Sequence, residues 1–470
     1  MIGSAARARA VPRRRRARPP PLVVAMAVAA LVALAGALAG VPARATYGAR
    51  TTADEPQYLL TAVSLARDGD LDISDELAGQ VWRAFHAADL PQQTRPLPGG
   101  VRISPHDPLL PVLLAPGVAL GGWVGAKVTL AVLAALLAAL LVAVAVTRLA
   151  VRPAVAATVT AVLATSVPLA PYGSQVYPEL PAALVVGMAL AALLGPLRRR
   201  RAVAVVVLAC CALPWLGVKY APVAAVLAAA LLARLAQRGH LRRAEVVVGA
   251  LAVAGVVYLL IHHRVWTGWT VYASADHFVG TGELGVVGTA PDHWARTTRL
   301  LGLLVERAFG IAAWQPAWLL LVPATVAALR ARVSGSRLLV AVLAVGWLTA
   351  SYVALTMAGW WVPGRQIVVV LPAAVLLIAW WADRHRPALL ATAALGAVGV
   401  ASWLLLAWEA SSGRLTLVVD FFATANPWYR LWSGALPDYL APTAATWWRH
   451  GVWLVVVACL AVVGARTARR

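Results

Sequence analysis

The segment Thr52-Ala53-Asp54-Glu55-Pro56-Gln57-Tyr58 carries the sharpest chemical signal in the chain, and Asp68-Gly69-Asp70-Leu71-Asp72 follows it closely. Two adjacent carboxylates open a helix there, just where an apolar run of membrane length has ended. A carboxylate at such a boundary can accept a proton from a hydroxyl while staying wet enough to remain ionised near neutral pH, which is the work of a general base. The competing reading makes Asp54 a helix cap and Glu55 a favourable first-turn charge. Position alone leaves both open.

The elements that must hold this pair are apolar helices. Of 470 residues, 61% are hydrophobic and the mean hydropathy is +0.76, too apolar for a soluble domain whose polar surface covers a core. Runs of about 20 apolar residues recur along the chain, each matching a helix that crosses the hydrocarbon layer. They lack the alternation of an outer-membrane strand, so backbone satisfaction demands helices. The expected fold is therefore an all-α polytopic membrane protein. About twelve transmembrane helices are predicted, near 21–42, 123–147, 153–170, 180–197, 202–217, 221–236, 244–261, 309–329, 338–357, 366–382, 388–408 and 450–465.

The net charge of +22 is explained by topology. With a cytoplasmic amino terminus, alternate loops collect Arg7, Arg9, Arg13 to Arg16 and Arg18, then Arg148 and Arg152, Arg198 to Arg201, and Arg234, Arg238, Arg242 and Arg243. Arg330, Arg332, Arg337, Arg384, Arg386, Arg466, Arg469 and Arg470 continue the series, opposed only by Glu245 and Asp383. This positive-inside asymmetry puts both termini in the cytoplasm and argues against nucleic acid as a partner. Cys210, Cys211 and Cys459 lie inside apolar runs, so an external disulfide framework is not expected. The arginine-rich start, residues 21–42 and Ala43-Arg44-Ala45 also resemble a cleavable signal; the run is long enough to span, and a retained first helix is expected.

Four regions follow from this reading. They are a basic cytoplasmic tail (1–20), a transmembrane region (21–408) with external loops 43–122 and 262–308, an external loop of unassigned role (409–449), and a last span with its tail (450–470). In the first loop, Tyr58, Ala62 and Leu65 share one face at helical spacing, with Asp54 at the cap position and Pro56 inside the first turn. An amphipathic helix there should lie along the interface. Residues 108–120, interrupted by Pro111 and Pro116, read as a second short stretch that dips into lipid without spanning.

Other polar residues mark span ends. Glu179 follows Pro178, where a carboxylate also suits the helix dipole; His106-Asp107 could orient a substrate or simply cap a turn. His262 and His263 point to different helix faces without partner spacing, so interface polarity is expected of them rather than metal binding. Most of the tryptophans, among them Trp266, Trp269, Trp294, Trp314, Trp318, Trp360, Trp361, Trp428, Trp432, Trp447 and Trp448, fall near predicted outer boundaries and read as belt residues.

The pattern of a first span followed by DEPQYLLTAVSLARDGDLD resembles the first external loop of GT-C glycosyltransferases, the group that includes protein O-mannosyltransferases and the aminoarabinose transferase acting on lipid A. His106-Asp107-Pro108-Leu109-Leu110-Pro111, Val176-Tyr177-Pro178-Glu179-Leu180-Pro181, Pro214-Trp215-Leu216-Gly217-Val218-Lys219-Tyr220, Glu306-Arg307-Ala308-Phe309-Gly310 and Gly359-Trp360-Trp361-Val362-Pro363-Gly364-Arg365 look like family segments in the same order. The likeness covers residues 20–400 or so, is weakest over 262–300, and leaves the last loop without a counterpart. It implies a polyprenyl-phosphate sugar donor, with Asp54 at the position of the family's base and Glu55 its neighbour in the motif.

Transfer from such a donor leaves an anionic lipid phosphate, which needs cations at the membrane surface. Lys219, Arg264 and Arg365 are the outward-facing candidates at span ends. For Lys219 and Arg365 an anchoring role at the interface is the alternative. Tyr58, His106, Asp107 and Glu179 would shape the site. The expected acceptor is an envelope glycan, lipid or protein outside a bacterial inner membrane, and inversion at the anomeric carbon is expected. No cofactor is required by this reading; paired acids permit a divalent metal, but no spacing demands one. A transporter or lipid flippase is the alternative from another class, and it would place charges or helix breaks near the middle of spans.

Overall fold

The structure, a computed structural model, describes residues 20–90, 93–94, 96–197, 200–266, 268–269, 292–354 and 356–468. The basic tail, Arg198, Arg199, Arg469, Arg470 and residues 270–291 of the expected 262–308 loop lie outside the described residues. Among those described there is no strand, only three isolated bridges. The helices run in order α1 (Pro21–Leu38), α2 (Glu55–Arg67), α3 (Ser74–Ala78), α4 (Leu109–Leu149), α5 (Pro153–Ala164), α6 (Leu169–Tyr172), α7 (Glu179–Leu193), α8 (Arg200–Leu216), α9 (Ala221–Ala236) and α10 (Leu241–Trp266). They continue with α11 (His293–Thr297), α12 (Arg299–Val305), α13 (Ile311–Trp314), α14 (Leu321–Arg330), α15 (Ser336–Leu348), α16 (Leu371–Arg384), α17 (Arg386–Ser411), α18 (Pro427–Ser433) and α19 (Ala444–Thr467).

Eight helices are long and apolar enough to cross a membrane: α1, α4, α10, α17, α19 and the stretches Val218–Ala236, Ser336–Val353 and Arg365–Arg384 that contain α9, α15 and α16. Shorter apolar helices, α5, α7, Pro316–Arg330 and α8, stand where the sequence predicts the remaining spans. Burial separates inner from outer helices. The apolar window of Arg365–Arg384 is 89% enclosed by protein, whereas those of α10 and α19 are 11% enclosed; α16 is thus the axis of the bundle, and α10 and α19 present their side chains to lipid.

The arginine-rich connections meet at one end. Arg152 Nε donates to Asp383 at 2.7 Å, Arg384 reaches the Leu149 carbonyl, Arg234 reaches that of Gly195, and Trp381 Nε1 donates to Thr467 Oγ1. The conspicuous acids of the sequence gather at the opposite end, described below.

The local structure refines one expectation and corrects two. Residues 108–120 form a short arm distinct from the following span: α4 is two helices joined across a break at Gly121 and Gly122, the latter at φ 57° and ψ −145°. The two arms fold against each other so closely that a Cβ on Gly125 would lie 1.9 Å from the Gly117 carbonyl oxygen, while one on Gly121 would meet nothing. Gly125→Ala should therefore destabilise the fold by about 3 kcal/mol through overpacking and Gly121→Ala should not; comparing thermal unfolding of the two detergent-solubilised variants checks this, and equal melting temperatures would contradict the hairpin geometry.

The first correction concerns α2. Every residue from Glu55 to Ser64 is buried, so this helix is enclosed on all faces by α4, α3 and the loop that follows, instead of floating with one face wet. The second concerns the tryptophans. Trp266, Trp314 and Trp318 are buried outright, their indole N–H groups donating to the carbonyls of Ser104, Ala308 and Val167; they are core residues that bind loops to helices. Trp269, Trp294, Trp360, Trp447 and Trp448 are exposed, as a belt requires.

Residues 409–449 are built into the same end as the acids. Glu409 Oε1 accepts from the Ala425 amide, Arg307 pairs with Asp438 at 3.3 Å, Trp314 stacks on Tyr429, and the Tyr47 hydroxyl donates to Asp420 at 2.6 Å. This last loop clamps the first outer loop to the segment before α13.

Candidate active site

Asp54 is the residue just before α2, yet its side chain makes no capping hydrogen bond. Ala53 ahead of it adopts φ +47°, a left-handed conformation that costs a non-glycine residue on the order of 1 kcal/mol, and Gln93 Nε2 donates to the Ala53 carbonyl at 3.2 Å. The turn carries the carboxylate away from the helix amides. Asp54 Oδ2 accepts from Arg365 Nη2 at 2.7 Å, Oδ1 lies 3.9 Å from His106 Nε2, and the side chain remains 25% exposed. Burial by itself would raise the Asp54 carboxyl. Arg365 first, then His106 and Lys219, outweigh it and hold the group at about 2.

Arg365 is the hub. Gly364, at φ +85°, turns the chain so that the guanidinium enters the protein, where Nε donates to Glu179 Oε1 at 2.9 Å and the plane lies 3.9 Å over the Tyr177 ring. Lys219 Nζ donates to the same Glu179 oxygen at 2.7 Å. Glu179 opens α7, where the helix dipole favours it, but it is wholly buried and its Oε2 has no hydrogen-bond partner among the described residues. Asp54, Arg365, Glu179 and Lys219 thus form one chain of alternating charge. Two acids offset two cations, and both ends of the chain, Asp54 and Lys219, are partly exposed while Arg365 and Glu179 are buried.

Glu55, its neighbour in sequence, has a different situation. It is fully buried, with Oε1 accepting from the Thr52 amide at 3.2 Å and Oε2 from the Val176 amide at 2.8 Å. It pins the start of α2 to the segment leading into α7, and so fixes where Asp54 and Glu179 stand relative to each other. Burial raises the Glu55 carboxyl from 4.5 to about 7, with Lys127 opposing. The native chain holds this proton more tightly than the unfolded one, so between these two values stability falls as pH rises. Glu55→Gln should remove part of that slope, measured as melting temperature against pH; an unchanged slope would contradict the assignment.

The site-shaping residues divide into two groups. The His106 ring stacks on Tyr58 at 4.6 Å and meets Gln93 Oε1 at 3.3 Å, bracing the Asp54 turn; burial lowers the His106 value, against the pull of Asp54. Asp107 accepts from the Val218 amide at 3.2 Å and from the Tyr258 hydroxyl at 3.1 Å, and His262 Nε2 lies 3.1 Å from it. His262 is therefore neither interface polarity nor a metal ligand of a histidine pair: it is buried beside Asp107, stacked between Trp215 and Trp266. Arg264, two positions from both His262 and Trp266, falls on the opposite, exposed face of α10 and is not brought to the charge chain.

Below Asp107 and Lys219 lies an apolar cavity of about 390 Å³ between α8, α9 and α10. Cys210, Pro214, Trp215, Val218, Leu251 and Tyr258 contribute to its wall. Val218 and Tyr258 both bond to Asp107, so the cavity and the polar cluster share a boundary.

The sequence marks Asp54, Glu179, Lys219 and Arg365 but not the aromatic support of Arg365. Tyr177 and Trp361, 3.9 and 5.0 Å from the guanidinium, sit in the segments that hold Glu179 and Arg365, and only the fold shows both rings meeting one cation. The Tyr258/His262/Trp266 stripe has a sequence signal, since the spacing of four puts all three on one face of a helix. No protein-family model matches the chain, and no curated protein does.

Proposed function

We propose that the chain transfers a sugar from a polyprenyl-phosphate donor to a hydroxyl outside the cytoplasm, as a GT-C type glycosyltransferase with twelve crossings and both termini inside. The observation that carries the reading is the charge chain, partly open at Asp54 and ending at Lys219 next to Val218, which lines an apolar cavity bounded by α10, a helix that faces lipid. A donor of this class has the same two parts, an anionic phosphate and a long apolar tail. The tail would occupy the cavity, and the phosphate would meet Lys219 and Arg365.

The resting pair explains how the base is controlled. A carboxylate held at about 2 by Arg365 is a poor proton acceptor. A donor phosphate is a stronger competitor for the guanidinium fork, and once it takes Arg365 and Lys219, Asp54 loses its pairing and its proton affinity rises. The acceptor oxygen then attacks the anomeric carbon while the bond from that carbon to the phosphate oxygen breaks. The acceptor proton passes to Asp54, the bonding pair leaves with polyprenyl phosphate, and the anomeric configuration inverts. Charge developing on the leaving phosphate is met by Arg365 and Lys219. Glu55, Glu179, Tyr58 and His106 position these groups, and Asp107 fixes the cavity mouth.

Among the described residues, the buried acids Glu55, Glu76, Asp107, Glu179, Glu306 and Glu409 stand at helix ends, in the short α3 or in loops, which favours surface chemistry over transport through the middle of the bundle. The test compares envelope glycans and glycolipids of cells carrying the wild-type gene, no gene, or Asp54→Asn at matched expression. A glycoform present only with the wild type is expected. Identical glycans in all three would remove the proposal.

A further inference from the structure

Away from the charge chain, three carboxylates meet where α2 ends and α3 begins. One oxygen from each of Asp68, Asp75 and Glu76 lies within 4.8 Å of the other two. Two of these side chains are exposed, but Glu76 is 1% exposed, and its Oε2 is buried without a hydrogen-bond partner. Among the described residues, no Lys, Arg or His pairs with any of the three. The neighbouring acids are already used by the protein: Asp70 accepts from Ser64 Oγ, and Asp72 accepts from the Ser74 and Arg102 amides. A buried carboxylate oxygen facing two more carboxylates, with nothing positive nearby, is expensive to ionise, and either a proton shared with Asp75 or a bound cation relieves it. Asp68 adds to the cost because it stands at the carboxyl end of α2, where the helix dipole is already negative.

We propose that Asp68, Asp75 and Glu76 form a divalent-cation site of the calcium type, which fastens the end of α2 to the start of α3. The ligand atoms are all carboxylate oxygens, the choice of a hard cation. An ion centred among three oxygens no more than 4.8 Å apart sits at most about 2.8 Å from each, within reach of the roughly 2.3–2.6 Å of calcium–oxygen bonds. Water and backbone carbonyls would supply the remaining ligands. The site lies about 20 Å along α2 from Asp54, a rise of about 1.5 Å for each of its 13 residues. It therefore acts on the order of the first loop and not on the reacting atoms, and it stands whether or not the chain is a transferase.

The test uses the full-length protein, purified in detergent and stripped with a chelator, titrated calorimetrically with calcium chloride. One saturable site is expected in the wild type and in Asp89→Asn, an exposed control outside the cluster. The Asp68→Asn/Asp75→Asn double variant, altered only at exposed side chains, should bind at least about tenfold more weakly because two charged ligands are gone. Calcium should raise the melting temperature of the wild type and leave that of the double variant unmoved. Should the double variant fail to fold, Asp68→Asn alone gives the same reading. A wild type that takes up no calcium saturably, or variants that bind as tightly as the wild type, would overturn the site.

Discussion

Asp54→Asn is expected to lower sugar transfer by about 10²–10⁴-fold, the usual contribution of a general base, while leaving donor binding intact or tighter. Asparagine fills the same space and can still face Arg365, so the turn after Ala53 should survive. It offers no site for the acceptor proton. Removing the carboxylate also frees Arg365 from the 2.7 Å pairing, so the donor phosphate meets less competition. The measurement is transfer of labelled sugar alongside equilibrium binding of the labelled donor to the same preparation. A variant that loses binding and transfer together would make Asp54 a structural partner of Arg365 and nothing more.

Arg365→Met is expected to have the second large effect, and on more than one quantity. Arg365 is buried and joins Asp54 to Glu179, so its loss leaves Glu179 with Lys219 alone and Asp54 with only the more distant His106. Breaking a buried ion pair on one side costs about 3–5 kcal/mol, so the melting temperature should fall and donor binding should fall with transfer. Adding Glu179→Gln removes the stranded charge and should restore much of the stability without restoring transfer. If the double variant regains transfer as well, Arg365 serves folding and not the phosphate. Lysine in place of Arg365 should rescue little, because a point charge gives up both the two-way fork and the stacking on Tyr177.

Much of this arrangement was legible in the sequence because membrane chains spend so few charges within their apolar stretches. Apolar runs located the helices, and the alternation of arginine-rich loops sorted their ends, which the Arg152–Asp383 and Arg234–Gly195 contacts bring together. Against that background Asp54, Glu179, Lys219 and Arg365 are conspicuous. Glu55 reads identically to Asp54 in sequence; only the fold separates them, since one is enclosed by the Thr52 and Val176 amides and the other left partly open.

What the sequence concealed has physical causes. A Gly-Gly break inside an apolar run leaves no trace in hydropathy, so Pro111 and Pro116 mark the short first arm of α4 but not how closely it folds back on the second. Helical periodicity predicts a one-faced α2, but α4 covers the helix from outside the first loop, a long-range contact that no window detects. Tryptophans near predicted boundaries look alike until packing divides them into exposed belt and buried ties, as Trp360 and Trp318 show. Arg264 stands out in the sequence by its charge and place in the chain, while the stripe of Tyr258, His262 and Trp266 decides which face of α10 turns inward.

The most direct measurement is a stoichiometric one on purified wild-type protein in sealed proteoliposomes given a polyprenyl-phosphate sugar labelled in both sugar and lipid. Bond-making chemistry predicts that the sugar label leaves for a hydroxyl acceptor and that one free polyprenyl phosphate appears for each sugar transferred. Recovery of every donor molecule intact, even if moved to the opposite leaflet, would contradict the account and leave a lipid carrier in its place.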